Sequence, residues 1–428
     1  MVRLRLAPAG IVVEEGITSV GTRAFYNMRA SELSLPSTVT TIDPYSFGYN
    51  SFVELAIPGN VATIGNNAFE QNQQLASIEI GEGVLTIGNN AFSSTGSSSL
   101  VFRIPSTVTN LNAIGAPRVA RYEVADGNAN YAADDDGVLY QITDSGLTLI
   151  EYPIMREAVE TYTVPRSVNG KTVNALGNNA FQSLTNVQNI VVPSSIQSMG
   201  TYMFQSSTSL ESVVFENGMN FGSSTSALNN TFSGCTALTS VTLPSSMTGS
   251  TSYQMNSTFY NCHALHEVTI PSYVTSITSN TFYACYTLRT VTYDAATAAV
   301  GETIADGAMG NITFDLVVGE NVDQLRDYSQ YNNDYSFSAL ADYARSISFA
   351  PDNAFTIDAG AFSGAYNPLT SDLSGNAWVD ANGVLYLYDV ETGEATVYMF
   401  RRASRRSPSP VRSLCPRAMQ VARREPIR

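Results

Sequence analysis

The residues best suited to chemistry gather at one place: His263 and His266, the only two histidines, stand three apart beside Cys262. An imidazole pair next to a thiol is the raw material of a zinc site or an activated nucleophile. The set is incomplete. Cys262 belongs to a series with Cys235 and Cys285 at spacings of 27 and 23, unrelated to a Cys-x-x-Cys knuckle, and no histidine or acidic residue recurs beside the series to complete four ligands. Lys171, the single lysine, sits in an Asn-Gly-Lys turn sequence, so a lysine phosphate loop or Schiff base is available nowhere else. The Gly-x-Ser-x-Gly elbow, the His-Glu-x-x-His pair and the Gly-Lys-Ser/Thr loop are all missing, and the carboxylates are scattered rather than paired. Asp126-Gly-Asn128-Ala-Asn130 opens like a calcium loop, yet Tyr131 and Gly137 occupy the positions that need Gly and Glu. The expectation is a chain with no catalytic residue, no metal and no cofactor.

The elements that would position these residues follow an aromatic beat: Phe25, Phe47, Phe69 and Phe92, then Phe181, Phe204, Phe232, Phe259 and Phe282, at spacings of 22 to 28 within each run. A further one stands at Phe362. A small residue precedes most of them, and Leu75-Ala-Ser-Ile78-Glu-Ile80 alternates like a half-buried strand that Gly81 stops. The apolar pairs Val61 with Ile64 and Val84 with Ile87 lead into Gly65 and Gly88, read as glycines that turn the chain without a Cβ penalty. No single coil can bury its Phe alone. Stacking coils at the strand spacing of about 4.8 Å buries them together and pairs the strands in parallel, so the repeat specifies a solenoid. Three residues after the Phe come Asn50 and Asn72, and later Cys235, Cys262 and Cys285, an inward structural ladder that can hydrogen-bond the turn backbone.

The frame Val-Thr-x-Ile-Gly-x-x-Ala-Phe-x-x-Cys-x-x-Leu-x-x-Ile-x-Ile-Pro, spelled almost fully by residues 61–80 and 265–288, resembles the BspA-like leucine-rich repeat family, found in surface proteins of bacteria and parasitic protozoa. The resemblance covers about 300 of the 428 residues. It implies a leucine-rich-repeat right-handed coil with a parallel β-sheet on one face, short strands or turns on the other, and β-hairpin inserts. It also implies an extracellular or cell-surface location.

The 89-residue gap between Phe92 and Phe181 holds Asn130-x-x-x-Asp134-x-Asp136-Gly137-Val138-Leu139-Tyr140, and Asn376-x-x-x-Asp380-x-Asn382-Gly383-Val384-Leu385-Tyr386 repeats it. In both copies a Tyr, Tyr152 or Tyr398, follows the Gly by 15 residues. The Asp/Asn-Gly pair reads as a hairpin turn. The expected organisation is leucine-rich repeats in 1–115, a hairpin insert in 116–166, repeats in 167–294, degenerate repeats in 295–375, a second insert in 376–400, and an Arg-rich tail in 401–428. The degenerate stretch carries Tyr328, Tyr331, Tyr335 and Tyr343, available for packing or for a partner. The tail holds Cys415 and reads either as a basic disordered arm or as a shift of reading frame.

Charge is uneven. Residues 1–400 carry net −23 and residues 401–428 net +8, so the body should repel nucleic acid and anionic membrane. No run of 18 apolar residues is present to span a bilayer, and the N-terminus lacks an apolar stretch of signal-peptide length, which suits either a cytosolic protein or a chain that begins inside a larger one. What remains for function is surface. The residue between the last two apolar positions of each strand should face outward, giving the row Ala56, Glu79, Arg103, Val191, Val214, Thr242, Thr269 and Thr292. A weakly charged sheet face suits docking of a protein or host-surface ligand, and the expected function is adhesion through that face. The alternative is a structural spacer that projects another domain from a cell surface.

Overall fold

The computed structural model describes residues 10–112, 118–245, 247, 253–278, 280–295, 313–322 and 343–349, together with the backbone of seven short strands: Arg5–Ala7, Ala299–Val300, Gln324–Leu325, Thr356–Ile357, Ala377–Val379, Leu385–Tyr388 and Ala395–Tyr398. Phe362, Tyr328, Tyr331, Tyr335, Asp380, Asn382 and the tail 401–428 with Cys415 lie outside the described residues. The chain divides into two compact units, residues 1–210 with 219–222, and residues 211–218 with 223–428. Each is a parallel-strand β-solenoid, and the described residues contain no helix.

In the first unit the long strands ladder in parallel pairs: Gly10–Val12 with Glu32–Ser34, Glu54–Ile57 with Ser77–Ile80, and Val101–Ile104 with Arg121–Val124. Opposite them the Thr-Ile pairs form a second sheet, with Ser19–Val20, Thr41–Ile42, Thr63–Ile64, Thr86–Ile87 and Asn110–Leu111 in register. Between the sheets the Phe rings of successive coils stack, with Phe25, Phe47, Phe69 and Phe92 spaced 5.3–5.4 Å apart and within 10° of parallel. The second unit repeats this with Phe232, Phe259 and Phe282 at 5.4 and 5.9 Å. Its long strands, Ser212–Phe215, Ser240–Thr242, Glu267–Ile270, Thr290–Tyr293, Phe314–Val318 and Ala344–Phe349, all pair in parallel.

The third side of each coil, which carries the Phe, is also a ladder. Arg23, Tyr45 and Asn67 donate their N–H groups to the carbonyls of Pro44, Asn66 and Asn89 in the next coil, and four residues on Asn27, Tyr49 and Gln71 do the same to Gly48, Glu70 and Ser93 at 2.8 Å. All six donors have left-handed backbones, φ 55–61°, a conformation that costs a side-chain-bearing residue about 1–2 kcal/mol. The inter-coil bond is what offsets that cost. Asn tolerates the conformation best, which explains Asn67, Asn90, Asn179, Asn230 and Asn280 two residues before a Phe.

Gly65 and Gly88 do a different job from the one their sequence position suggests, because neither has a positive φ. A Cβ on Gly65 would lie 2.7 Å from the carbonyl carbon of Asp43 and from the nitrogen of Pro44, and one on Gly88 would lie 2.6 Å from Asn66 Oδ1. Glycine is required there by the closeness of the preceding coil.

The 116–166 region supplies an antiparallel meander, Tyr131–Ala133, Leu139–Thr143 and Gly146–Glu151, whose last strand pairs in parallel with Lys171–Leu176 and so carries the stack onward. Its motif residues bind one another: Asp134 Oδ1 accepts the Val138 N–H at 2.9 Å and Asp134 Oδ2 accepts the Tyr140 hydroxyl at 2.8 Å, around Gly137 at φ +76°. Burial pushes the Asp134 carboxyl above its ordinary range, against the lowering by those two bonds. Tyr152 packs its ring 4.8 Å from Tyr162 and accepts a bond from Arg156, whose other nitrogen meets Asp136.

Candidate interaction surface

The Cys and His residues that open the chemical question are separated by the coil itself. Cys262 points inward, fully buried, with its thiol 3.1 Å from the Phe232 carbonyl, while His263 and His266 are exposed and His263 stacks on Tyr286 at 5.2 Å. A side chain pointing into the core cannot share a ligand with its outward neighbour. Among the described residues no group of three His, Cys, Asp or Glu side chains is arranged to hold a metal ion. Asn128 is a turn staple, its Oδ1 accepting the N–H groups of Asn130 and Tyr131 and its amide donating to Pro105 and Val108 carbonyls. Lys171 is exposed at the start of its strand, after the Asn169-Gly170 turn.

The inward ladder has three chemistries: amide and thiol, and in the coils of Phe92 and Phe204 the buried hydroxyls of Thr95 and Ser207, which donate to the Phe69 and Phe181 carbonyls at 2.7 Å. Asn50 donates to the carbonyls of Phe25 and Phe47 at 2.9 Å and accepts the Ala30 N–H, and Asn72 donates to Phe47 and Phe69 at 3.1 and 2.8 Å. Cys285 gives one thiol bond, to Phe259, at 3.1 Å. Burial pushes the Cys285 thiol up to about 12 and raises that of Cys262 well above its usual value, so both stay protonated at neutral pH.

The outward row lies on solvent. Ala56, Glu79, Arg103, Val214, Thr242 and Thr269 are exposed and Val191 and Thr292 half-buried. In the first unit Ala56 pairs with Glu79, Arg103 with Glu123, and Val191 with Thr163. In the second unit Val214 pairs with Thr242 and Thr269 with Thr292, which continues to Val317 and Ser348. Both units carry charge beside this row, and the second adds more hydroxyls. Arg103 and Arg121 reach Glu123 at 2.9 and 3.5 Å across the first, whose adjacent groove of about 530 Å³ carries Glu32, Glu54 and Glu79. The corresponding groove of the second unit, about 380 Å³, sets Glu267 and Asp294 among the hydroxyls of Ser240, Thr242, Thr269, Thr290 and Thr292.

The sequence pattern of the BspA type leucine-rich repeat region matches the chain in six copies, over residues 9–114, 174–309 and 220–335, more than half its length. The chain belongs to this family. Among solved structures it is similar to the pneumococcal vaccine antigen PcpA, with a TM-score of 0.51 and 15% identity over 85% of this chain and 80% of that one. A leucine-rich cell surface protein from Faecalibacterium prausnitzii gives a TM-score of 0.48 at 18% identity, covering 85% and 83%. A leucine-rich repeat protein from Eubacterium ventriosum gives 0.42 at 23% identity, covering 64% and 82%. No curated protein matches the sequence.

Reading the row through BspA-type coils alone misses its continuation at Glu123, Thr163, Val317 and Ser348, which lie in strands without the Phe frame. A signal was present: Arg121-Tyr122-Glu123-Val124 repeats the alternation of Val101-Phe102-Arg103-Ile104, with Tyr122 buried as Phe102 is. None of the described residues forms a helix long and apolar enough to cross a membrane.

Proposed function

We propose that this BspA-type protein works at a cell surface or after secretion, as an adhesive module that docks a protein or host-surface ligand on the outward face of its long-strand sheet. The observation that carries this reading is the run Val214, Thr242, Thr269 and Thr292, with Val317 and Ser348 beyond it: uncharged side chains in adjacent strands, facing solvent. A partner covering it displaces weakly held water, whereas covering a charged face strips strongly hydrated ions. The presence of the family among surface proteins of bacteria and protozoa supports the location.

The test is binding of the purified protein to host-cell monolayers and extracellular-matrix proteins. Thr269→Arg, in the middle of the face, should abolish binding, and His263→Ala, on the turn side, should leave it unchanged. Equal binding by both variants would remove the sheet face from the account, and no binding by the native chain would favour the spacer.

A further inference from the structure

The last two coils of the regular frame each place a tyrosine directly after the Phe, as Phe259-Tyr260 and Phe282-Tyr283. The Phe turns inward, so the next side chain emerges on the turn side, where both tyrosines are half-buried. The backbone fixes them against each other: the Asn261 N–H donates to the Tyr283 carbonyl at 2.8 Å, and the Phe rings behind lie within 3° of parallel. The tyrosine rings accordingly stack, 4.8 Å apart and 10° from parallel. Tyr26 and Tyr49 of the first unit meet at 53°, and the pairs Tyr152 with Tyr162 and Tyr253 with Tyr273 are edge-on and buried. Tyr286 is more exposed, but it stacks on His263, an imidazole. Tyr260 and Tyr283 combine parallel phenols with access from solvent.

Two phenols held in this way are substrates for oxidative coupling. A haem peroxidase working on hydrogen peroxide takes one electron and the hydroxyl proton from each. The unpaired electron of a phenoxyl spreads to the ring carbons beside the oxygen-bearing one, the Cε positions. Parallel rings from equivalent places in adjacent coils bring the Cε carbons of one beside those of the other. The radicals join through a Cε–Cε bond, and the hydrogen on each joined carbon leaves as a proton while a proton returns to each oxygen, restoring both phenols. Two hydrogen atoms are lost in all, and one peroxide becomes two waters. The thiols of the same coils are closed to such an oxidant, since Cys262 and Cys285 are fully buried. We propose that Tyr260 and Tyr283 are a modification site, joined into dityrosine by peroxidase and peroxide, and that the bond staples two coils across 23 positions of sequence. Closing that loop removes disorder from the unfolded chain. The site lies on the turn side and stands apart from the sheet-face reading.

The test treats the full chain, kept dilute, with a plant haem peroxidase and hydrogen peroxide. Dityrosine fluorescence should appear while the protein still runs as a monomer on a denaturing gel. Mass spectrometry after pepsin digestion should find the peptides of Tyr260 and Tyr283 joined and lighter by two hydrogen atoms. Tyr283→Phe keeps the ring and the stack but removes the phenol, so it should lose this product at an unchanged melting temperature, and Tyr26→Phe should keep it. The urea midpoint of treated native protein should rise above that of untreated protein, and that of treated Tyr283→Phe should not. Undiminished monomer dityrosine in Tyr283→Phe, a bond mapped to Tyr26 with Tyr49, or cross-linked dimers alone would overturn the site. An unchanged urea midpoint in cross-linked native protein would overturn the staple.

Discussion

The coils of Phe25 to Phe92 and those of Phe232 to Phe282 solve one packing problem with different atoms. In the coils of Phe47 and Phe69 an amide fills the slot three residues after the Phe, and Asn50 serves two carbonyls and one N–H. In the late coils a thiol fills it, and Cys262 and Cys285 each meet one carbonyl of the preceding coil. Ring spacing barely changes, 5.3–5.4 Å against 5.4–5.9 Å, so the aromatic stack sets the coil separation and the ladder residue adapts to it. The thiol is the smaller and weaker donor, and it carries less of the coil's hydrogen bonding. The amide is closer to indispensable.

The largest effect should come from the part that both regions share. Phe259→Ala empties a fully buried ring site between two stacked neighbours and should cost about 3–5 kcal/mol in denaturant unfolding, with coils on both sides loosened. A loss below about 1 kcal/mol would mean that the rings do not set the stack.

Next comes the contrast itself. Asn50→Ala strands the Phe25 carbonyl and the Ala30 N–H, while the Phe47 carbonyl keeps its bond from Asn72, and should cost about 2–3 kcal/mol, against about 1 kcal/mol for Cys262→Ala. Equal losses would erase the distinction between amide and thiol ladders.

Alkali should sharpen the comparison. The Cys285 thiol has an ordinary value of 9.0 and is held up to about 12 in the fold, so it stays neutral in the native state while the unfolded chain ionises. Stability is therefore complete below pH 9.0 and falls as pH rises toward about 12, by up to about 1.4 kcal/mol per pH unit for each such thiol. Between pH 9 and 10 the melting temperature of native protein should drop more than that of Cys262→Ala/Cys285→Ala, in which the buried tyrosines, raised above 10.0 in the fold, contribute equally. Thiol reagents should meanwhile reach Cys235, Cys262 and Cys285, all buried, only after denaturation.

The smallest effect belongs to the charged face. Arg103→Ala breaks its contact with Glu123, yet both side chains are well exposed, so the change should stay below about 1 kcal/mol and shrink in high salt. A larger loss would make the ion pairs of the first unit structural.

Much of this was legible in sequence because a stacked coil must reuse its solution. Phe47, Phe69 and Phe92 announce a shared interior by spacing alone, and the Leu75-to-Ile80 alternation announces which side chains face it. The sequence also displays the Asp134 and Tyr140 pair as a recurring motif, since local hydrogen bonds need fixed residues at fixed intervals. Gly65 looks like a turn residue because a sequence names a residue without its neighbours in the adjoining coil, and its real constraint is the backbone of Asp43 and Pro44, more than 20 positions upstream. The left-handed turns were equally hidden. Tyr45 and Tyr49 hold φ near 60° only because carbonyls of the following coil receive their N–H groups. The sequence by itself determined the repeat, the buried ring column and the poverty of catalytic groups. Only tertiary structure decided that Cys262 and His263 face opposite ways, and that the Asp294 carboxylate packs onto Gly319 of the next coil. Those outcomes depend on contacts between coils, and contact distance between coils is not encoded in the spacing within one.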